Sequence, residues 1–106
     1  MTTKALNGIT VLEFSHTIMG PCAGLLLADL GARVIKIEPA PDGDKTRYLN
    51  GFASGFFATF NRNKQSVAVN LKSAEGQAIV HQLVERSRCS SGELRAGHYG
   101  KARVRL

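Results

Sequence analysis

The sequence contains no tryptophan and no run of about 20 apolar residues, the length that a membrane-spanning helix needs. The first residues, Met-Thr-Thr-Lys-Ala, lack the apolar core of a secretory signal peptide, so export is not indicated. Only two cysteines occur, Cys22 and Cys89, and they lie far apart in different contexts. We interpret them as free thiols of a cytoplasmic protein and not as a disulfide.

Several familiar catalytic motifs are also missing. The chain has no Gly-x-Ser-x-Gly, no Gly-x-x-x-x-Gly-Lys-Ser/Thr, no Cys-x-x-Cys and no Gly-x-Gly-x-x-Gly. The three histidines, His16, His81 and His98, are too scattered to indicate a metal site. The sequence therefore predicts neither a catalytic residue nor a metal site.

Basic residues outnumber acidic ones, and the net charge of the 106 residues is +6. The excess is +2 before Ser87 and +4 from Ser87 onward, so most of it lies in the last part of the chain. No interleaving of aromatic and basic residues accompanies this charge, and no nucleic-acid motif is present. Binding to nucleic acid is therefore not the favoured interpretation.

The hydrophobic patterns predict strands alternating with helices. Residues 9–14 are rich in β-branched and aromatic side chains and predict a first strand, and residues 22–30 are apolar on nearly every side and predict a buried helix. Residues 33–37 alternate between polar and apolar and predict a short, half-exposed second strand. Residues 66–71 predict a third strand, and residues 74–86 predict an amphipathic helix. This order predicts an α/β fold with parallel strands.

The four phenylalanines between residues 51 and 63 are interpreted as core or interface residues: Phe52, Phe56, Phe57 and Phe60. The basic residues of the ordered part, taken singly, are interpreted as solvated surface charges: Lys36, Arg47, Lys64 and Lys72. For Lys72 a ligand contact is an equal alternative, because it follows a predicted parallel strand. Asp42 and Asp44 are interpreted as turn residues beside Gly43.

The loop of residues 15–19 is the strongest candidate site. It joins the carboxyl end of the first predicted strand to the start of a helix, and ligands of α/β proteins usually bind there. Backbone N–H groups at a helix N-terminus also attract anions. For His16, in this loop, a functional and a structural role weigh equally.

Six short pieces follow one another in the first 86 residues. They read Leu6-x-Gly8-Ile9-x-Val11-Leu12-Glu13-Phe14, Gly20-Pro21, Leu30-Gly31-Ala32-x-Val34-Ile35-Lys36-Ile37-Glu38, Gly43-Asp44-x-Thr46-Arg47, Asn61-x-Asn63-Lys64-x-Ser66 and Leu71-Lys72-Ser73-x-Glu75-Gly76. Together they resemble the family III CoA-transferases, which include formyl-CoA transferase, carnitine CoA-transferases and α-methylacyl-CoA racemases. The resemblance implies a Rossmann-like, three-layer fragment of that family's large domain, with residues 1–86 as its N-terminal portion.

The resemblance also implies where coenzyme A binds. The implied contacts lie after the first, second and third strands: Thr17, Ile18 and Met19 with His16 beside them; Pro39; and Val69, Asn70, Leu71 and Lys72. Pro39 stands where some relatives have a basic residue that can meet a CoA phosphate. Ile18 stands where formyl-CoA transferase has a polar residue, which predicts a different acyl partner.

Family III enzymes move CoA between carboxylic acids, so the implied substrates are an acyl-CoA and a small carboxylate, with no covalently bound cofactor. The family's catalytic aspartate and small domain lie beyond residue 106. The resemblance therefore implies that this chain is a truncated enzyme, inactive alone, whose full-length parent is a cytoplasmic, interlocked homodimer that binds no membrane.

Residues 87–106 show neither helical nor strand periodicity, and we interpret them as a basic, disordered tail. Relatives continue at this point with a strand and the motif Glu-Asn-Phe-x-Pro-Gly. With suitably chosen synonymous codons, the frame one nucleotide later encodes Ala-Asp-Val-Val-Val-Glu-Asn-Phe-Ala-Pro-Gly. We therefore hypothesise a frameshift near Arg86, which sequencing the gene across that codon tests.

Two other readings stay open. In one, the chain is a small basic binding module that uses residues 87–106 on nucleic acid or acidic surfaces, and its binding depends steeply on salt. In the other, the chain is a structural fragment without function, and it shows no saturable binding to CoA or nucleic acid.

Overall fold

The computed structural model describes residues 3–87 and 89–92. Its centre is one parallel sheet with strand order β3-β2-β1-β4. The strands are β1 (Thr10–Phe14), β2 (Arg33–Pro39), β3 (Gln65–Val69) and β4 (Cys89–Gly92). The register places Glu13 beside Lys36 and Pro39 beside Val69. The predicted α/β fold with parallel strands is confirmed.

Three helices connect and cover the strands. They are α1 (Met19–Asp29), α2 (Phe56–Asn61) and α3 (Ala74–Arg86). Helix α3 has the predicted bounds, and the residue before it, Ser73, caps its N-terminus by accepting a hydrogen bond of 3.0 Å at Oγ from the Gly76 amide. Helix α1 begins three residues earlier than predicted. No helix in the described part of the chain is long and apolar enough to cross a membrane.

The apolar core has two parts, one on each face of the sheet. One part joins the sheet to α3: Leu12, Phe14, Ile35, Ile37, Val69 and Val80. The other part joins the sheet to α1: Val11, Ala28, Ala32 and Val34. Because successive side chains of a strand point to opposite faces, α1 and α3 cover opposite faces of one sheet.

The prediction that the second strand is half exposed is wrong. Residues 34–38 of β2 are all buried, including Lys36 and Glu38. The alternation between polar and apolar residues is real, but both faces of the strand are covered. The polar positions point to the face that α1 covers, and their charges are paired there.

The prediction that helix α1 is buried on nearly every side is wrong for this chain. Helix α1 is not buried all round, because Leu26 is 60% exposed and Met19 is 78% exposed. Phe52 lies outside the core at 93% exposure, while Phe56 and Phe60 are half-buried and stack edge to face at 6.2 Å. Among the described residues, no element covers the outer side of α1.

The interpretation of residues 87–106 as a disordered tail is wrong for four of them. Cys89–Gly92 forms β4, which pairs in parallel with β1, with Phe14 beside Gly92. Strand pairing uses backbone groups, so a segment without side-chain periodicity can add to the open edge of a sheet. Residue 88 and residues 93–106 lie outside the described residues, and the domain boundary at residue 86 stays a prediction.

Candidate functional site

The carboxyl ends of β1, β2 and β3 lie on one edge of the sheet, because the three strands are parallel and adjacent. The loops that leave this edge contain the predicted contact residues of all three groups. We name it the carboxyl edge and define it by residues 15–19, 39–48 and 69–73. The structure thus brings together segments that are at least 20 residues apart in the sequence.

The loop between β1 and α1 has an unusual backbone. Thr17 has a φ of 69°, in the left-handed region that β-branched residues rarely adopt. Its amide donates a hydrogen bond of 3.0 Å to Thr46 Oγ1, and its own Oγ1 lies 2.9 Å from His16 Nδ1. His16 is exposed, Ile18 is half-buried, and Met19 is largely exposed as the first residue of α1.

The end of β2 opens onto a shallow groove of about 470 Å³. The groove is lined by Pro39, Ala40, Asp42, Gly43, Lys45 and Tyr48. The Ala40 amide donates to the Val69 carbonyl at 3.2 Å, which joins the ends of β2 and β3. Lys45 and Tyr48 were not predicted as site residues. Their signal in the sequence was weak, because they lie in a polar segment that was interpreted only as a turn.

The segment after β3 divides its residues between the core and the solvent. Val69 is buried, and Leu71 packs against the same apolar cluster, so their side chains face the core and not the edge. Asn70 and Lys72 are exposed, and the Lys72 amide donates to Asn70 Oδ1 at 3.0 Å. Of these four residues, the exposed two offer side chains to a ligand, while Val69 and Leu71 can offer only backbone groups.

Beneath the carboxyl edge lies a cluster of buried charges. Lys36 Nζ is 3.1 Å from Glu13 Oε2 and 3.1 Å from Asp44 Oδ2, and it donates to the Ser15 carbonyl at 2.9 Å. Lys64 Nζ is 2.7 Å from Glu13 Oε1. Ser15 Oγ donates to Glu13 Oε2 at 2.7 Å. We name these five residues the buried ion cluster.

The interpretation of Lys36 and Lys64 as solvated surface charges is therefore wrong. Their side chains are 1% and 2% exposed, respectively. Burial lowers the pKa of Lys64, and its hydrogen bond and charge interaction with Glu13 partly oppose that effect. Asp44 is more than a turn residue, since its side chain caps the 3-10 helix Lys45–Tyr48 by accepting from the Thr46 amide at 2.9 Å.

A second charged group holds β2, β3 and α2 together. Arg47 donates two hydrogen bonds of 2.7 Å to the Glu38 carboxylate, and Ser66 Oγ donates to the same carboxylate. Burial alone would raise the pKa of Glu38, but these bonds and one from the Asp44 amide lower it from 4.5 to about 2. The Arg47 guanidinium also lies 3.9 Å from the centre of the Phe57 ring. Arg47 is thus a structural residue, in contrast to its interpretation as a solvated charge.

The arrangement can fix the backbone of the β1–α1 loop, because Lys36 of the buried ion cluster donates to the Ser15 carbonyl. Among the described residues, no group of three metal-ligating side chains comes together. Cys22 is a half-buried free thiol on α1. The sequence did carry a signal for the cluster: Glu13 and Ser15 share one face of β1 and its extension, and Lys36 shares it on β2.

Sequence comparison with known proteins identifies a family. The family profile of CoA-transferase family III matches residues 6–101. The chain is 47% identical over 91 residues to a formyl-CoA:oxalate CoA-transferase of Streptomyces coelicolor, covering 82% of this chain and 22% of that protein. It is 40% identical over 84 residues to a human succinyl-CoA:glutarate CoA-transferase, covering 76% of this chain and 19% of that protein.

Solved structures match as well. A hypothetical protein of Mycobacterium tuberculosis, Rv3272, superposes with a TM-score of 0.87 at 34% identity over 93% of this chain and 28% of its own. A CAIB/BAIF family protein from Brucella suis superposes with a TM-score of 0.88 at 29% identity over 99% of this chain and 30% of its own. The chain belongs to CoA-transferase family III, and it spans about a fifth of the length of the curated relatives it matches.

Proposed function

We propose that these residues form the N-terminal part of an enzyme that moves CoA from an acyl-CoA to a carboxylic acid. Family membership supports this activity, and two similar proteins are named for oxalate and glutarate as acceptors. The proposed substrates are therefore an acyl-CoA and a small carboxylate. Coenzyme A enters as a substrate, and no covalently bound cofactor is needed.

The proposed CoA site is the carboxyl edge. The observation that carries it is the convergence there of all three loops whose residues the resemblance implies as CoA contacts. In the first loop, exposed Met19 begins α1, and the N-terminal end of a helix favours the negative charge of phosphate groups. After β3, exposed Asn70 and Lys72 offer an amide and a cation.

A calorimetric titration with CoA tests the site. Met19→Glu places a negative charge at the start of α1, where it repels the phosphates of CoA, and we expect binding to weaken by about tenfold. Ile79→Glu is the matched control, because Ile79 is exposed on α3, within the helix and away from the edge. Equal affinity of both variants would contradict the proposed site.

The full-length protein is proposed to be a cytoplasmic, interlocked homodimer. Exposed apolar side chains on α1 and at Phe52 are consistent with surfaces that a longer chain or a second copy covers. The alternative function, a basic module that binds nucleic acid through residues 87–106, depends mainly on residues outside the described part. The test is to delete residues 87–106 and to measure how the binding of nucleic acid depends on salt. Loss of a steeply salt-dependent binding on deletion would favour the basic module.

A further inference from the structure

The strained residue of the β1–α1 loop is linked to the buried ion cluster by one side chain. Thr17 has a φ of 69°, and its amide points to Thr46 Oγ1 at 3.0 Å. Thr46 is buried, with 3% of its surface exposed, although the residues on either side of it are exposed. A β-branched residue keeps a left-handed backbone only where its surroundings hold it, and such strain concentrates at functional sites.

Thr46 is connected to the buried ion cluster through Asp44. Its amide donates to Asp44 Oδ1 at 2.9 Å, and the other carboxylate oxygen of Asp44 lies 3.1 Å from Lys36 Nζ. Lys36 in turn donates to the Ser15 carbonyl at 2.9 Å. Two residues of the loop are therefore linked to one buried ammonium group: Ser15 directly, and Thr17 through Asp44 and Thr46.

We infer that Thr46 is a positioning residue for CoA binding: its hydroxyl holds the Thr17 amide and so sets the backbone conformation of the β1–α1 loop. This inference rests on the proposed function, because the loop forms part of the proposed CoA site. Thr46 does not touch the ligand in this role. It acts through Thr17, in the same way that a supporting residue orients a binding residue.

The direct test is amide hydrogen exchange at Thr17, which needs no ligand. In the unmodified chain the Thr17 amide exchanges slowly, because it is bonded to a buried hydroxyl. Thr46→Val keeps the shape of the side chain and removes the acceptor, so Thr17 exchange becomes faster. Thr46→Ser restores the hydroxyl and the slow exchange. Thr10→Val is the matched control, since Thr10 lies at the opposite end of β1 from the loop.

CoA affinity is the second readout. Thr46→Val weakens CoA binding by about fivefold, the effect of losing one hydrogen bond, while Thr46→Ser and Thr10→Val bind as the unmodified chain does. Fast exchange of the Thr17 amide in the unmodified chain would overturn the inference without any variant. So would equal exchange rates and equal affinities in Thr46→Val and Thr10→Val.

Failure of the proposed function gives a different pattern. If the unmodified chain folds and does not bind CoA, the role of Thr46 in affinity is overturned together with the proposed CoA site. The exchange rate of the Thr17 amide in that same sample still decides whether Thr46 holds the loop. The two failures are thus distinguished by one ligand-free measurement.

Discussion

Gly24 of α1 packs directly against the carboxylate of Glu13, so that a Cβ at residue 24 would overlap Glu13 Oε1 and lie 3.2 Å from Lys64 Nζ. Glu13 cannot move aside cheaply, because Lys36, Lys64 and Ser15 hold its two oxygens. We therefore expect Gly24→Ala to lower the free energy of unfolding by about 2 kcal/mol, despite the better helix propensity of alanine. Urea denaturation measures the change.

Gly55→Ala is the control for this substitution. Nothing lies within 4 Å of a Cβ built at Gly55, and its φ of −93° suits any residue. Its free energy of unfolding should stay within about 0.5 kcal/mol of the unmodified chain. Equal stability of the two alanine variants would show that α1 does not pack on Glu13 as described.

The buried ion cluster predicts an unequal effect of two lysine substitutions. Lys36→Met keeps most of the side-chain volume but leaves the buried carboxylates of Glu13 and Asp44 without this cation. Removing one partner of a buried ion pair typically costs about 3–5 kcal/mol, and we expect a loss of that size in urea denaturation.

Lys45→Met is the matched control, because Lys45 is exposed and makes no ion pair in the described part of the chain. We expect it to change the free energy of unfolding by less than about 0.5 kcal/mol. If Lys36→Met were as stable as Lys45→Met, Lys36 would be a solvated charge after all.

The lowered pKa of Glu38 predicts that this residue's contribution to the free energy of unfolding is lost in acid. Its pKa is lowered from 4.5 to about 2 in the folded chain, so folding favours the ionised form. The resulting stabilisation, about 3 kcal/mol, is present above pH 4.5 and is lost as the pH falls from there toward 2. Glu38→Gln should therefore flatten the fall in unfolding free energy over this range.

The control for the pH experiment is Glu85→Gln, because Glu85 is exposed on α3. It should keep the full acid dependence. A Glu38→Gln variant that loses stability with acid as steeply as Glu85→Gln does would remove the basis for the assigned role of the Glu38–Arg47 pair.

A polypeptide of these 106 residues should transfer no CoA between an acyl-CoA and a carboxylate. Acyl transfer through a covalent intermediate needs an activated nucleophile, and the resemblance places the family's aspartate beyond residue 106. Chromatography of the thioesters measures the transfer. Turnover that rises with protein concentration and disappears on heat treatment would contradict this expectation.

Strands β1, β2 and β3 and helices α1 and α3 were predictable from residue patterns, because core residues such as those of β1 and α3 follow periods of 2 and 3.6. The short helix α2 was not predicted. The burial of both faces of β2 could not be predicted in this way. Lys36 and Glu38 alternate with apolar residues as the polar side of a half-exposed strand would, and only the tertiary structure shows that α1 and the segment with Asp44 cover that side.

The candidate site was predictable in outline only. Residues that follow parallel strands must share one edge, so the convergence of Thr17, Pro39 and Asn70 could be expected from the order of the elements. The contact between Thr17 and Thr46 could not be expected from the sequence, because one hydrogen bond joins residues that are 29 positions apart. Strand β4 was missed because its pairing depends on the backbone.

The most direct test of CoA binding at the carboxyl edge is a CoA titration followed by amide chemical shifts on the isotope-labelled chain. We expect saturable shifts at residues 17–19 and 70–72, and none along the outer face of α3. A well-dispersed spectrum that CoA leaves unchanged, or that shifts only at residues away from this edge, would contradict the proposed site.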